Sequence, residues 1–275
     1  MKIFILSLFT LLVITLLTFF AYNSYTNSKA YVQINKELSA QKGVDETFHS
    51  KLDKVLETLS IGIYDKYSKD KLDLKALEDI SAKSYQFSLT YMYYFFGTLI
   101  LFLLIFYMLD REFFIIYLAL SAIVSLVFAL ISPLIMMVVY QALPILGEVT
   151  LSFETKSIIS TIVKLKDQGN LLLAGLVTIF SIVIPFFKSL VLLSYGFLKE
   201  SGAGDKVVKL IDKIGKWSMA DVFIVALLVV FFSTKQDIHT SIKLEVGIYF
   251  FIGYVLLSML GSSMIGRVDN KSISN

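Results

Sequence analysis

Two ionisable side chains interrupt stretches that are otherwise apolar enough to cross a membrane. Lys188 lies in "IPFFKSLVLLSYGF" and Asp221 in "GKWSMADVFIVALLVVFF". An ammonium so placed can hold a phosphate, a carboxylate can take up a proton, and the two can pair. A charge at the centre of a membrane helix costs about 2.5–3.5 kcal/mol on insertion scales, and is kept mostly where a partner or a water cavity compensates. Lys188 stops several residues short of the end of its stretch, and Asp221 enters about one turn from the start of its own. They meet at similar depth if the two helices are neighbours. The alternative is that Lys188 snorkels to the interface and Asp221 caps its helix behind Ser218. Pro185 removes a backbone hydrogen bond three residues before Lys188, as a packing kink or as a point of flexure. Trp217, near the start of the stretch that holds Asp221, is expected as an interfacial anchor.

Other chemistry is sparse. The chain has no cysteine, which excludes disulfides, thiolate catalysis and cysteine-based zinc sites. His49 and His239 lie in different loops without ligand-spaced neighbours, so surface imidazoles are expected rather than a metal site. No nucleophile, base and orienting group converge on one motif; the expectation is a protein that is not an enzyme, with no cofactor. A net charge of +3 gives no sign of nucleic-acid binding.

These residues need a membrane scaffold to position them, and composition supplies it. Of 275 residues, 56% are hydrophobic and 17% charged, the balance of an integral membrane protein. Crossing roughly 30 Å of hydrocarbon takes about 20 apolar helical residues. Six stretches qualify: Ile3–Ala21, Leu89–Leu109, Phe113–Pro133, Leu171–Phe197, Met219–Ser233 and Val246–Ile265. The first follows Lys2 and lacks a nearby small-x-small cleavage site, so an uncleaved anchor is expected. Lys2, Arg111, the run Lys199, Lys206, Lys209, Lys213 and Lys216, and Arg267 with Lys271 all fall on one side of a six-span bundle. By the positive-inside rule both termini are then cytoplasmic.

Two larger pieces fall on the opposite side. Tyr22–Ser88 balances ten lysines with ten acids. In it Phe48, Leu52, Val55, Leu56, Leu59 and Ile63 recur at helical spacing, which predicts an amphipathic helix. Asp73 is a candidate N-cap for a helix running on into the second span. This region reads as a small helical layer packing on itself, or else as a docking site. In Leu134–Lys156, Pro133 closes the preceding span, and Val149, Leu151 and Phe153 alternate with polar residues around a turn-rich centre. A β-hairpin is expected there, with an apolar first strand, "LIMMVV", suited to contact with lipid or a partner. Ser157–Gly169 then reads as a short amphipathic helix ended by its glycine. Gly247, Gly253 and Gly261 in the last span are expected as close-packing positions.

Two motifs in sequence resemble the paraquat-inducible protein A family of bacterial inner-membrane proteins. One is "SIISTIVKLKDQGNLLLAGLVTIFSIVIPFFKSL", an amphipathic helix, a glycine and a span ending in Pro-x-x-Lys. The other is "GKWSMADVF", similar to a Gly-x-Trp-Ser-Met-x-Asp-Val-Phe signature at Gly215, Trp217, Ser218, Met219 and Asp221. The likeness covers roughly residues 113–265. It implies an inner-membrane partner of MCE-domain proteins that loads or extracts phospholipid for an intermembrane transport system. The other function class is a non-transporting membrane scaffold or envelope-stress protein. Family members commonly carry two membrane modules and cysteine-rich zinc ribbons; this chain has one module and no cysteine. The expected architecture is an all-α polytopic membrane protein of six transmembrane helices. An N-terminal part, 1–110, holds the anchor, the extracytoplasmic region and the second span; a four-helix module with the hairpin occupies 111–275.

Overall fold

The structure, a computed structural model, describes residues 2–60, 66–144, 147–198 and 240–273. Among the described residues, five helices are long and apolar enough to cross a membrane, and a three-stranded antiparallel sheet joins them. The polytopic helical fold with a β-hairpin is therefore present. The expected span Met219–Ser233 lies outside the described residues.

The N-terminal pair is longer than hydropathy suggested. Helices α1 (Lys2–Gln41) and α3 (Lys66–Leu109) run unbroken through the region read as a separate layer. The 40 residues of α1 span about 60 Å, while the hydrocarbon needs about 30 Å. Roughly half of each helix therefore stands clear of the bilayer. Polar contacts between the two helices hold this projecting half: Ser24 Oγ donates to Ser88 O at 2.9 Å and Asn35 Nδ2 to Ser81 Oγ at 2.7 Å. Further along, Lys42 Nζ reaches Glu78 at 2.7 Å. Asp73 corrects an expectation: α3 already begins at Lys66, so Asp73 lies about two turns inside it rather than at its N-cap.

Helix α2 (Val44–Leu59) is amphipathic as predicted from Phe48 to Leu59, Ile63 lying outside the described residues, but it does not pack its apolar stripe inward. Phe48 is 50% and Leu59 73% exposed, while Asp53 is the buried residue of this helix. Its polar edge faces the protein because α3 needs it. The Glu57 carboxylate accepts from the Ser68 N–H at 3.0 Å and from the Ser68 hydroxyl, serving the unpaired amides of the first turn of α3.

Helix α4 (Arg111–Ile131) is central, packing against α1, α3, α7 (Ile184–Leu198) and α8 (Val246–Ile273). Tyr117, Leu118 and Leu126 of α4 meet Phe250 and Tyr254 of α8 and Leu192 of α7 in one buried cluster. The glycines of α8 allow this approach, as expected. A Cβ on Gly253 would come within 2.6 Å of the Phe96 ring, and one on Gly247 within 2.6 Å of the Pro133 carbonyl oxygen.

Beyond α4 the predicted hairpin forms from β1 (Ile135–Leu143) and β2 (Gly147–Lys156). A third strand, β3 (Thr240–Leu244), which the sequence did not suggest, pairs with the other edge of β1. Alternation along β1 covers both faces. Ile135 and Met137 join the bundle core, while Met136 and Val138 pack with Tyr31, Val32 and Tyr85. The apolar strand expected to meet lipid or a partner is thus largely covered by α1 and α3 of its own chain. Helix α5 (Ile158–Asp167) follows, capped by reciprocal Ser157–Ser160 hydrogen bonds, and Gly169 reverses the chain at φ +78°.

Gly247→Ala should lower stability by about 1–3 kcal/mol, because its Cβ has only backbone to displace. Gly97→Ala, which would meet nothing within 4 Å, should be neutral or stabilising by about 0.5–1 kcal/mol. Thermal unfolding in detergent checks the contrast; equal melting temperatures for the two variants would contradict the packing described.

Candidate functional site

Lys188 sits on α7, about 25 Å along the helical path from Leu171, and is 3% exposed. The chain reaches it through α6 (Leu171–Thr178) and a π-helical turn, Ile179–Val183. Pro185 explains the irregularity. It has no N–H to return to the preceding turn. The helix widens there instead, with the Ile184 N–H reaching Ile179 O. Turns of this kind concentrate at functional positions in helices. The Pro185 carbonyl is itself well used, accepting from Tyr254 Oη of α8 and from Ser189 Oγ, each at 3.1 Å. Proline and lysine are therefore held on a widened helix tied to its neighbour by a buried tyrosine. Asp221, Gly215, Trp217, Ser218 and Met219 lie outside the described residues, so the proposed Lys188–Asp221 pair receives only its lysine half here.

A second polar constellation lies where β3 enters α8, and sequence reasoning passed over it. Glu245 is 1% exposed, and neither carboxylate oxygen has a hydrogen-bond partner among the described residues. Burial pushes its carboxyl up to about 7, against the opposing pull of the Lys243 ammonium. The lysine is engaged elsewhere. Lys243 Nζ donates to Tyr31 Oη at 2.9 Å and stands 3.5 Å from the centre of the Tyr85 ring and 4.9 Å from that of Tyr31. The two rings lie 5.0 Å apart. Two aromatic faces and a hydroxyl thus hold an ammonium whose own burial lowers its proton affinity. The available signal was "KLEVG", two charges against the start of the last span. It reads as an ordinary interfacial flank until β3 is known to pair with β1.

Comparison with known proteins bears on the module that holds both constellations. The sequence model described as paraquat-inducible protein A matches residues 114–268, more than half of the chain. No curated protein and no solved structure matches the chain. Lys188, Pro185, Lys243, Glu245 and Tyr254 fall inside the matched region; Tyr31 and Tyr85 fall outside it.

The Glu245 environment has a consequence for stability. Its folded value lies above the ordinary carboxylate range, so the folded state binds this proton more tightly than the unfolded chain does. The resulting penalty is absent below about pH 4.5, grows as pH rises and is fully present above about pH 7, where it amounts to roughly 3 kcal/mol. Glu245→Gln should therefore melt above the parent at alkaline pH and lose that advantage in acid. A constant difference across the range, measured by thermal unfolding, would contradict this environment.

Proposed function

The chain belongs to the paraquat-inducible protein A family, and on that premise we propose that it is the inner-membrane subunit of an intermembrane phospholipid transport system. In this reading it loads or extracts lipid for an MCE-type partner and converts nothing chemically. The supporting observation is the burial of Lys188 beside the Pro185 break in a span of the family module. An ammonium there is costly in hydrocarbon and poor as glue, since desolvation cancels much of any pairing energy. It suits a site that receives a lipid phosphate and alters its pairing with Asp221 when it does. The projecting helices and sheet give such a subunit a platform beyond the bilayer.

Lys188→Ala and Asp221→Asn should each abolish envelope complementation while the protein still inserts and purifies as one species. Lipid mass spectrometry of the purified protein should find phospholipid enriched in the parent and depleted in Lys188→Ala. If the double neutral variant, Lys188→Met with Asp221→Asn, supports normal lipid transport, the pair is structural and the scaffold reading replaces this one.

Orientation has its own test, made simple by the absence of cysteine. Ser50→Cys on α2 should label with an impermeant thiol reagent from outside the inner membrane, and Ser201→Cys only after permeabilisation. The opposite pattern would reverse the membrane orientation proposed from the lysine distribution.

A further inference from the structure

Tyr31 and Tyr85 belong to the projecting N-terminal helices, whereas Lys243 and Glu245 belong to the module matched by the family. The ammonium of Lys243 bridges these two parts. Glu245 follows Lys243 by two residues, one past the end of β3, where its N–H still donates to Leu134 O of the neighbouring chain segment; that extension of the ladder puts the two side chains on one face with their Cα atoms about 7 Å apart. A lysine of that reach can turn from the tyrosines to the carboxylate. We propose that Glu245 is a proton-binding site governing a latch, in which Lys243 clamps α1 and α3 to the sheet while Glu245 is protonated and releases them when the proton leaves.

The buried surroundings supply the drive. A neutral carboxyl tolerates its unpartnered position, but a carboxylate with no hydrogen bond must gain one or a counter-charge. Lys243, two residues before it on β3, is the cation beside it. Among the described residues, the other groups facing this corner are mostly phenols: Tyr31 from α1, Tyr85 and Tyr93 from α3, Tyr140 of β1 and Tyr249 of α8. The charged pair lining the same seam, Lys42 and Glu78, is closed on itself at 2.7 Å. On β2, Lys156 is held by Glu154 at 3.3 Å. When Lys243 swings to the carboxylate it gives up the Tyr31 hydroxyl and both rings. Along this seam runs a groove of about 480 Å³ lined by Tyr31, Asn35, Ser81, Tyr85, Tyr140 and Lys243. Release of the latch widens it. Burial sets the titration near pH 7, so the latch responds across the neutral range, whatever the cargo of the module.

Spin labels at Gln86→Cys on α3 and Ser241→Cys on β3, in the otherwise cysteine-free chain in lipid nanodiscs, report the distance across the seam. Measurements at about pH 5 and about pH 9, roughly two units either side of the midpoint, separate the two protonation states. The expected result is a single short distance in acid and a longer population that becomes the majority in alkali. Glu245→Gln should keep the short distance at both values, and Lys243→Gln the long distance at both. The same distance in acid and alkali for the parent would overturn the proposal. So would a Glu245→Gln protein that still lengthens, or a Lys243→Gln protein that stays short. Infrared difference spectra of parent against Glu245→Gln provide an independent reading: a protonated carboxyl band lost between the two pH values supports the site, and its absence in acid overturns it.

Discussion

Where α4 ends, the backbone at Pro133 and Leu134 must find hydrogen-bond partners at the edge of the bilayer, and the rest of the architecture hangs on how it does so. The Leu134 N–H donates to Lys156 O at 2.8 Å, the Glu245 N–H to Leu134 O at 2.9 Å, and the Gly247 N–H to Pro133 O at 2.9 Å. An unpaired peptide group in this environment costs several kcal/mol, so the seam is an obligation rather than an ornament. It ties the end of α4 to the last residue of β2, the end of β3 and the first turn of α8. Glycine at 247 is the residue type that lets the backbones come this close.

That seam sets both polar constellations. By fixing the first turn of α8 it places Tyr254, about two turns on, against the Pro185 carbonyl of α7. By fixing β3 on β1 it puts Lys243 opposite Met136, on the face that α1 and α3 cover. Glu245 is sealed under the same junction. The two sites meet their desolvation costs differently. Lys188 lies on a helix already widened ahead of its proline. Lys243 relies on aromatic faces and one phenol, and Glu245 on neutrality.

The projecting halves of α1 and α3 give the chain something the matched module does not contain. Their polar and aromatic contacts continue the helix pair about 30 Å past the hydrocarbon, and there it meets the sheet. The pair shares a buried core with α4 and α8 within the bilayer, and beyond it Lys243 and its two tyrosines add a polar tie between the projecting halves and the sheet. The exposed apolar stripe of α2 lies on that projecting part.

The five described spans were legible in the sequence because membrane hydrocarbon forces each crossing to satisfy its own backbone, so hydropathy and length alone mark it. The hairpin was legible at Val149, Leu151 and Phe153 because strand alternation is local, and Gly169 and Ser157 marked their helix for the same reason. Lys188 stood out because a charge in an apolar run is rare whatever surrounds it. Other features required the tertiary structure. The polar stretch of α1 carries no mark of continuity, since its helix is sustained by Ser88, Ser81 and Glu78 on a partner more than thirty residues away. Strand β3 is five residues long and becomes a strand only by pairing with the free edge of β1. The outward stripe of α2 follows from the need of α3 for Glu57. Glu245 is an interfacial acid by sequence and a buried one by structure, because its burial is created by β3, α1 and α3 closing over it. Composition can specify a residue's charge, but the loss of water that makes the charge consequential is decided by what packs around it.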